Sequence, residues 1–250
     1  MNAMMIRAMT VFALALAFSV SGMMPATGWA QAAGWSAAKW PEQGEVAYQV
    51  ALGFGGLSVG QARHTWSHDG KQYRMRLAVE TVGVAAALRK LGYVQQSEGD
   101  VGENGLRPRR FDVTQLGKTP EMALFDWDKS RVGIYRGTRE RRSASLTAGD
   151  QDILSVWHQI GHADKLPEAL LAVGNKDARR ARITHLEDGD TQVPAGSFAT
   201  RHFRIHSEDG QIAIDLWLAL DRYMVPVRAV LDDTKSVTLI LEATSISPEK

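Results

Sequence analysis

From Glu45 the chain alternates between apolar and other residues. Val46, Tyr48, Val50, Leu52 and Phe54 fall on one face of an extended segment, and Ala47, Gln49, Ala51 and Gly53 on the other. A period of two predicts a half-buried strand. A second strand is predicted over 60–68. The Asp-Gly pair of "HDGK" then marks a hairpin turn. Beyond it Tyr73, Met75, Leu77 and Val79 alternate with Arg74, Arg76, Ala78 and Glu80. Residues 84–91, "VAAALRKL", suit a short helix. Strands resume at 93–102, 111–116, 121–127 and 131–137. The period changes in "GDQDILSVWHQIGH", where Ile153, Leu154, Trp157 and Ile160 recur at helical spacing. Asp150 or Asp152 suits its N-cap and Gly161 its stop. Further strands follow at 178–187, 197–207, 211–220, 224–232 and 236–246.

This pattern predicts an α+β fold that is mostly β. It is a single curved antiparallel sheet, half-barrel-like, of about eleven strands, with one main helix across the concave face. Two smaller sheets hinged near residues 138–175 are the alternative. A large curved sheet has more concave apolar area than one helix covers, so bulky side chains fill the gap or an apolar pocket remains.

The stretch "YQVALGFGGLSVGQARHTW" carries Gly53, Gly55, Gly56 and Gly60. A phosphate loop would need a helix after the glycines, headed by Lys-Ser or Lys-Thr. Gln61–His68 alternates instead as a strand, so Gly55, Gly56 and Gly60 are expected to let the backbone turn.

Composition adds an address. Residues 1–30 hold one charged side chain, Arg7, followed by the apolar run "VFALALAFSV" and then small residues. That order describes a secretory signal peptide, with cleavage expected after Ala30 or Ala32. Residues 31–43 read as a flexible leader and 44–247 as a single β-rich domain. The whole chain has 29 basic and 28 acidic residues, and losing Arg7 leaves the remainder formally neutral. Neutrality and export disfavour nucleic acid as a partner. No apolar stretch after the signal reaches the roughly 20 residues of a transmembrane helix. The chain has no cysteine, so no disulfide supports it and no lipid can be attached through a thiol. The expected location is the periplasm.

The segments "YQVALGFGGLSVGQARHTW", "YRMRLAVETVGVAAAL", "SEGDVGENGLRPRRF", "QDILSVWHQ" and "LWLALDRYMVPVRAVL" resemble the bacterial exported proteins grouped as the DUF3108 family. The resemblance runs over most of residues 45–245. It implies an exported β-rich domain and supplies no catalytic residue. The closing "LWLALDRYMVPVRAVL" also resembles lipoprotein carriers of the LolA/LolB type, which implies a half-barrel whose helices cover an apolar cavity.

Seven histidines include three pairs at i, i+4: His64/His68, His158/His162 and His202/His206. Four residues along a strand span about 13 Å, against zinc–nitrogen bonds of about 2.0–2.1 Å. Only the helical pair His158/His162 could share an ion, and "HQIGH" lacks the glutamate of a metalloprotease helix. No metal or cofactor is expected. Asp126 and Asp128 in "FDWDKS" share a strand face as glycosidase acids would, but a turn explains them as well. No nucleophile elbow is present, and "VPAGSFATRH" lacks the second glycine. The basic stretches "RPRR" (107–110), "RGTRERR" (136–142) and "KDARRAR" (176–182) could meet lipid phosphates or simply be solvated.

The leading expectation is a non-enzymatic periplasmic carrier or binding protein for a lipid or other apolar ligand. Tyr48, Met75, Leu77, Trp157, Ile214, Leu216 and Leu218 are its candidate lining, chosen because their elements should turn them inward. The alternative is an envelope structural protein that meets a protein partner through sheet edges and basic loops. An enzyme and a cell-wall glycan binder are further readings without a motif behind them.

Overall fold

The computed structural model describes residues 40–53, 57–83, 92–163, 166–233 and 237–247. The signal segment, most of the leader, Gly55, Gly56 and the helix expected over 84–91 lie outside the described residues. In chain order the strands are β1 (Gln43–Leu52), β2 (Leu57–His68), β3 (Gln72–Thr81), β4 (Gly92–Gly102), β5 (Gly105–Gln115), β6 (Glu121–Asp126), β7 (Arg131–Arg136), β8 (Arg139–Ser145) and β9 (Gln151–Asp152). Helix α1 (Ser155–His162) follows, then β10 (Ala169–Val173), β11 (Ala178–Val193), β12 (Gly196–Ser207), β13 (Ile212–Ala219), β14 (Pro226–Asp233) and β15 (Val237–Ser247).

All of them join one 15-stranded sheet in the order β8-β7-β6-β5-β4-β3-β2-β1-β15-β14-β13-β12-β11-β10-β9. The single sheet replaces the two-sheet alternative. About eleven strands were expected, and the described residues form 15; β8, β9 and β10 are those that the alternation did not predict. Strand β8, "RERRSAS", is exposed on both faces apart from Ala144, so it has no alternation to read. Strand β9 is two residues long. Strand β10, "ALLAV", is a short continuous apolar run, which carries no period.

Neighbouring strands pair antiparallel except β9 with β10, where Ala172 and Val173 run parallel to Gln151 and Asp152. Parallel neighbours require a crossover, and α1 is that crossover. Its first turn is lost to β9, so the helix begins later than its spacing suggested. The N-cap is Leu154 and not Asp150 or Asp152, and no side chain caps it; the Asp152 carboxylate, in the loop before the helix, accepts the N–H groups of Leu154 (2.9 Å) and Ser155 (2.8 Å). The β9 end of the sheet is tied back onto the body. Leu171 N–H donates to Asp150 Oδ1 (2.8 Å), and the Gln151 amide donates to the Leu106 carbonyl (2.7 Å).

The alternation read from sequence marks the inner face. Val46, Tyr48 and Val50 of β1, Tyr73, Met75 and Leu77 of β3, Ile214, Leu216 and Leu218 of β13, and Leu239, Leu241 and Ala243 of β15 are buried in one cluster. Each such large side chain contributes about 1.5–3 kcal/mol on burial. The leader reading ends early, because Trp40 is buried against this cluster. Its carbonyl accepts from His68 Nε2 (3.1 Å), and the Pro41 carbonyl accepts from Trp66 Nε1 (3.1 Å).

Two glycines work differently from expectation. Gly60 lies inside β2, where an added Cβ would sit 2.4 Å from the Glu80 carbonyl oxygen. It allows close strand approach and not a turn. Gly161 lies inside α1 and does not stop it, since the helix ends at His162 with Ala163 as C-cap. A Cβ there would come within 2.9 Å of Met224 Cβ and 3.0 Å of the Met224 carbonyl. Met224 and Tyr223 occupy the β13–β14 turn with φ of 55° and 54°, a region that side-chain-bearing residues adopt at a cost. Gly161→Ala therefore forces the helix away from this turn. We expect a loss of about 1–3 kcal/mol, measured by urea unfolding.

Candidate functional site

The seven residues expected to line a ligand site, Tyr48, Met75, Leu77, Trp157, Ile214, Leu216 and Leu218, are all buried in the same core. Leu77, Trp157 and Ile214 border a cavity that Val50, Leu231, Leu241 and Gln95 also line. Its volume is about 30 Å³, the share of roughly one water molecule. Sites for drug-sized ligands measure about 300–1,000 Å³. Tyr48, Met75, Leu216 and Leu218 fill space and do not border the cavity. The Tyr48 hydroxyl donates to the Pro226 carbonyl (2.7 Å), and burial pushes its pKa far up.

Helix α1 is buried on every side, Gly161 alone being partly exposed. Its contacts with the sheet include discrete polar bonds. Gln159 Oε1 accepts from Leu106 N–H (2.7 Å), and its amide donates to the Asn104 carbonyl (3.2 Å). Ser97 donates to Asp152 (2.6 Å) and sits 3.1 Å from the Tyr73 hydroxyl. Ser155 donates to Gln151 Oε1 (2.8 Å). Asp152 is thus fully buried with three donors. Burial raises its pKa, and the bonds from Ser97, Ser155 and Leu154 pull it back.

The sequence did not foretell the strongest feature. His158 does not pair with His162. Its Nε2 lies 2.8 Å from Nε2 of His64, on β2, and both rings are fully buried. His64 Nδ1 lies 3.3 Å from the Arg76 carbonyl oxygen. A carbonyl only accepts, so the His64 proton belongs on Nδ1 and its Nε2 is the acceptor. His158 then donates through Nε2–H and leaves Nδ1 bare, in keeping with the lack of a partner for that atom. Trp40 and Trp66 lie over His158 with ring centroids at 5.2 and 5.0 Å, and Trp157 lies 5.7 Å from His64. The i, i+4 spacing that singled out His158 said nothing of a strand residue 94 positions away.

Burial pushes the His64 pKa down to about 4, opposed by its bond to Arg76. His158 is held well below the usual imidazole range by burial and then by His64, His162 and His68. Both rings are neutral at pH 7. Among the described residues no group of three or more histidines, aspartates or glutamates is arranged to hold a metal ion.

The remaining sequence candidates resolve into local structure. Asp126 accepts from the Lys129 backbone N–H (3.0 Å) and ammonium (2.6 Å), which makes it a turn residue. His202 stacks on Trp217 at 4.0 Å and bonds Asp215 (2.8 Å). Arg204 also reaches Asp215, and Arg228 lies 5.0 Å over the Trp217 ring.

Two outcomes follow from the buried polar groups. A base whose folded pKa is depressed contributes stability above its unfolded value near 6.5, and that contribution fades as pH falls toward the folded value. His64 alone should cost about 2 kcal/mol between pH 7.5 and 5, with His158 adding in the same sense. Urea unfolding at the two pH values should show the loss, and His64→Leu/His158→Leu should reduce it. Asp152→Ala removes the buried acceptor of Ser97 and of the Leu154 and Ser155 N–H groups, and should cost about 2–4 kcal/mol. Asp152→Asn, which keeps an acceptor for the backbone, should cost clearly less in the same assay.

The architecture has counterparts among solved structures. A β-barrel-like protein of a domain of unknown function, DUF1849, from Brucella abortus superposes with a TM-score of 0.53 at 10% identity, covering 83% of this chain and 98% of that one. A candidate exported protein with a YmcC-like fold from Bacteroides fragilis gives 0.38 at 12% identity, covering 86% and 99%. A candidate lipoprotein from Parabacteroides distasonis gives 0.39 at 8% identity, with the same coverage. The first shows a shared β-barrel-like fold. No curated protein sequence matches the chain significantly. Residues 47–242 match the family described as protein of unknown function DUF3108, and the chain belongs to that family.

Proposed function

We propose that the chain is a non-enzymatic binding protein of the cell envelope, which takes an apolar or lipid-like ligand into the trough of its sheet when α1 withdraws. The observation that carries this reading is the construction of the interior. An apolar inner face is completed by one eight-residue helix on a crossover, fastened to the sheet by bonds from His158, Gln159 and Asp152. With α1 in place the 30 Å³ cavity admits no lipid. With α1 displaced, Tyr48, Met75, Leu77, Ile214, Leu216 and Leu218 would line the vacated volume, with Trp157 at its edge on the moving helix. The buried Ser97 bonds Asp152 and Ser155 bonds Gln151, which fixes the start of α1 on the sheet. The N-terminal sequence supports export to the periplasm.

The small volume of this cavity among the described residues favours a second reading, in which a protein partner docks at the sheet edge. Strand β8 ends the sheet and exposes Arg139, Arg141 and Arg142.

A cysteine pair separates the two readings. Gly161→Cys/Met224→Cys joins α1 to the β13–β14 turn: an added Cβ at 161 lies 2.9 Å from Met224 Cβ, so the pair bonds once the two have moved apart by the roughly 1 Å that brings them to a disulfide's Cβ separation of about 3.5–4.5 Å. The reduced protein should take up a fluorescent fatty acid and quench the tryptophans, and the oxidised protein should not. If wild-type and reduced proteins, folded by near-ultraviolet circular dichroism, both fail to take up the probe, the carrier reading falls. Reproducible crosslinking to one envelope protein through β8 would then support the second.

A further inference from the structure

The curl of the sheet brings two basic stretches together. Residues 136–142 belong to β7 and β8, and residues 176–182 to the β10–β11 turn and β11, at the opposite end of the strand order. The turn nevertheless reaches β6, where the Asn175 amide donates to the Glu121 carboxylate. In the β6–β7 ladder Glu121 stands opposite Arg136. In the β7–β8 ladder Arg136 stands opposite Arg139. Gly137 N–H donates to the Pro120 carbonyl (2.8 Å), which draws the loop carrying Lys118 onto the same hairpin tip. Lys118, Arg136, Arg139 and Lys176 thus gather around Glu121.

This arrangement is electrostatically unbalanced. Like charges directly opposite on neighbouring strands destabilise a ladder, and Arg136 and Arg139 are such a pair. Among the described residues none of the four cations makes an ion pair. Asp177, next to Lys176, is engaged by Arg179 (2.6 Å). Lys176 is half-buried. Burial lowers its pKa, and Lys118 and Arg136 press in the same direction against Glu121 and Asp177. Two arginine forks and two lysine point charges at the junction of three chain segments suit a compact, multiply charged oxyanion.

We propose that Lys118, Arg136, Arg139 and Lys176 form a phosphate-binding site where the two ends of the sheet meet. The bound group is a phosphate monoester or diester, carried by a lipid headgroup or by a soluble compound. It neutralises the cations and bridges the β7–β8 hairpin, the 117–120 loop and the 174–177 turn. The site is separate from the apolar trough, so it does not require α1 to move.

Two probes test it on the full chain without its first 30 residues. Inorganic phosphate is titrated by calorimetry at constant ionic strength. Flotation is measured with phosphatidylcholine vesicles, with and without phosphatidic acid. Arg136→Gln/Lys176→Gln is compared with Arg74→Gln/Arg109→Gln, which removes the same charge elsewhere. The first pair should weaken binding about tenfold or more, and the second should leave it near wild type. Phosphate binding without flotation identifies a soluble ligand. Flotation that needs phosphatidic acid and Arg136/Lys176 identifies a headgroup. If neither probe binds, or if both pairs lose binding equally, the site does not exist.

Discussion

The pairing of β1 with β15 holds the molecule together as one sheet. Every other antiparallel contact joins strands adjacent in the chain, so each can form as a hairpin. The β1–β15 ladder alone spans nearly the whole domain, from Glu45 opposite Ser247 to Leu52 opposite Leu239. Without it the chain would be two meanders, β1–β8 and β9–β15, each with a long open edge. Closing so long a loop carries an entropic cost before any contact repays it. The inward residues at this junction, Val46, Tyr48, Val50, Leu241 and Ala243, supply the burial that offsets that cost. The interior, the crossover and the meeting of the sheet ends exist because this ladder sets the order of everything on either side.

The edges illustrate a second economy. A 15-stranded sheet must end twice, and each end is a row of unpaired backbone groups. One end is the arginine-rich β8, whose charges oppose casual strand addition. The other is β9, two residues long and buried. Only the segment 146–150 separates them in the chain. That segment is held by Asp150, which accepts from Thr147 N–H (2.7 Å) and Leu171 N–H (2.8 Å). One end of the sheet is thus guarded by charge and the other by brevity and burial.

Much of this was legible in the sequence, for physical reasons. Val46, Tyr48 and Val50, or Ile214, Leu216 and Leu218, alternate because one face meets the core and the other meets solvent. The family likeness rested on the same strands. Strand β8 was invisible because solvent surrounds both of its faces, and β9 because two residues have no period. The expected lining residues are inside, yet side-chain identity cannot tell a filled interior from a hollow one. That depends on how α1 seats against β2, β5 and the β13–β14 turn. The His64–His158 bond was illegible for the same reason, since it joins a strand to a helix through tertiary packing. The meeting of Arg136 with Lys176 likewise depends on curvature.

The turn at Tyr223 and Met224 has a mechanical meaning. Two successive L-residues at positive φ form a loaded joint, kept shut by the Ala219 carbonyl, which accepts from both Arg222 and Met224 (3.3 and 3.0 Å). The tip of that joint rests against Gly161 of α1. Helix and hairpin therefore touch backbone against side chain, so under the proposed withdrawal of α1 the left-handed pair would be the part of the sheet that loses its support.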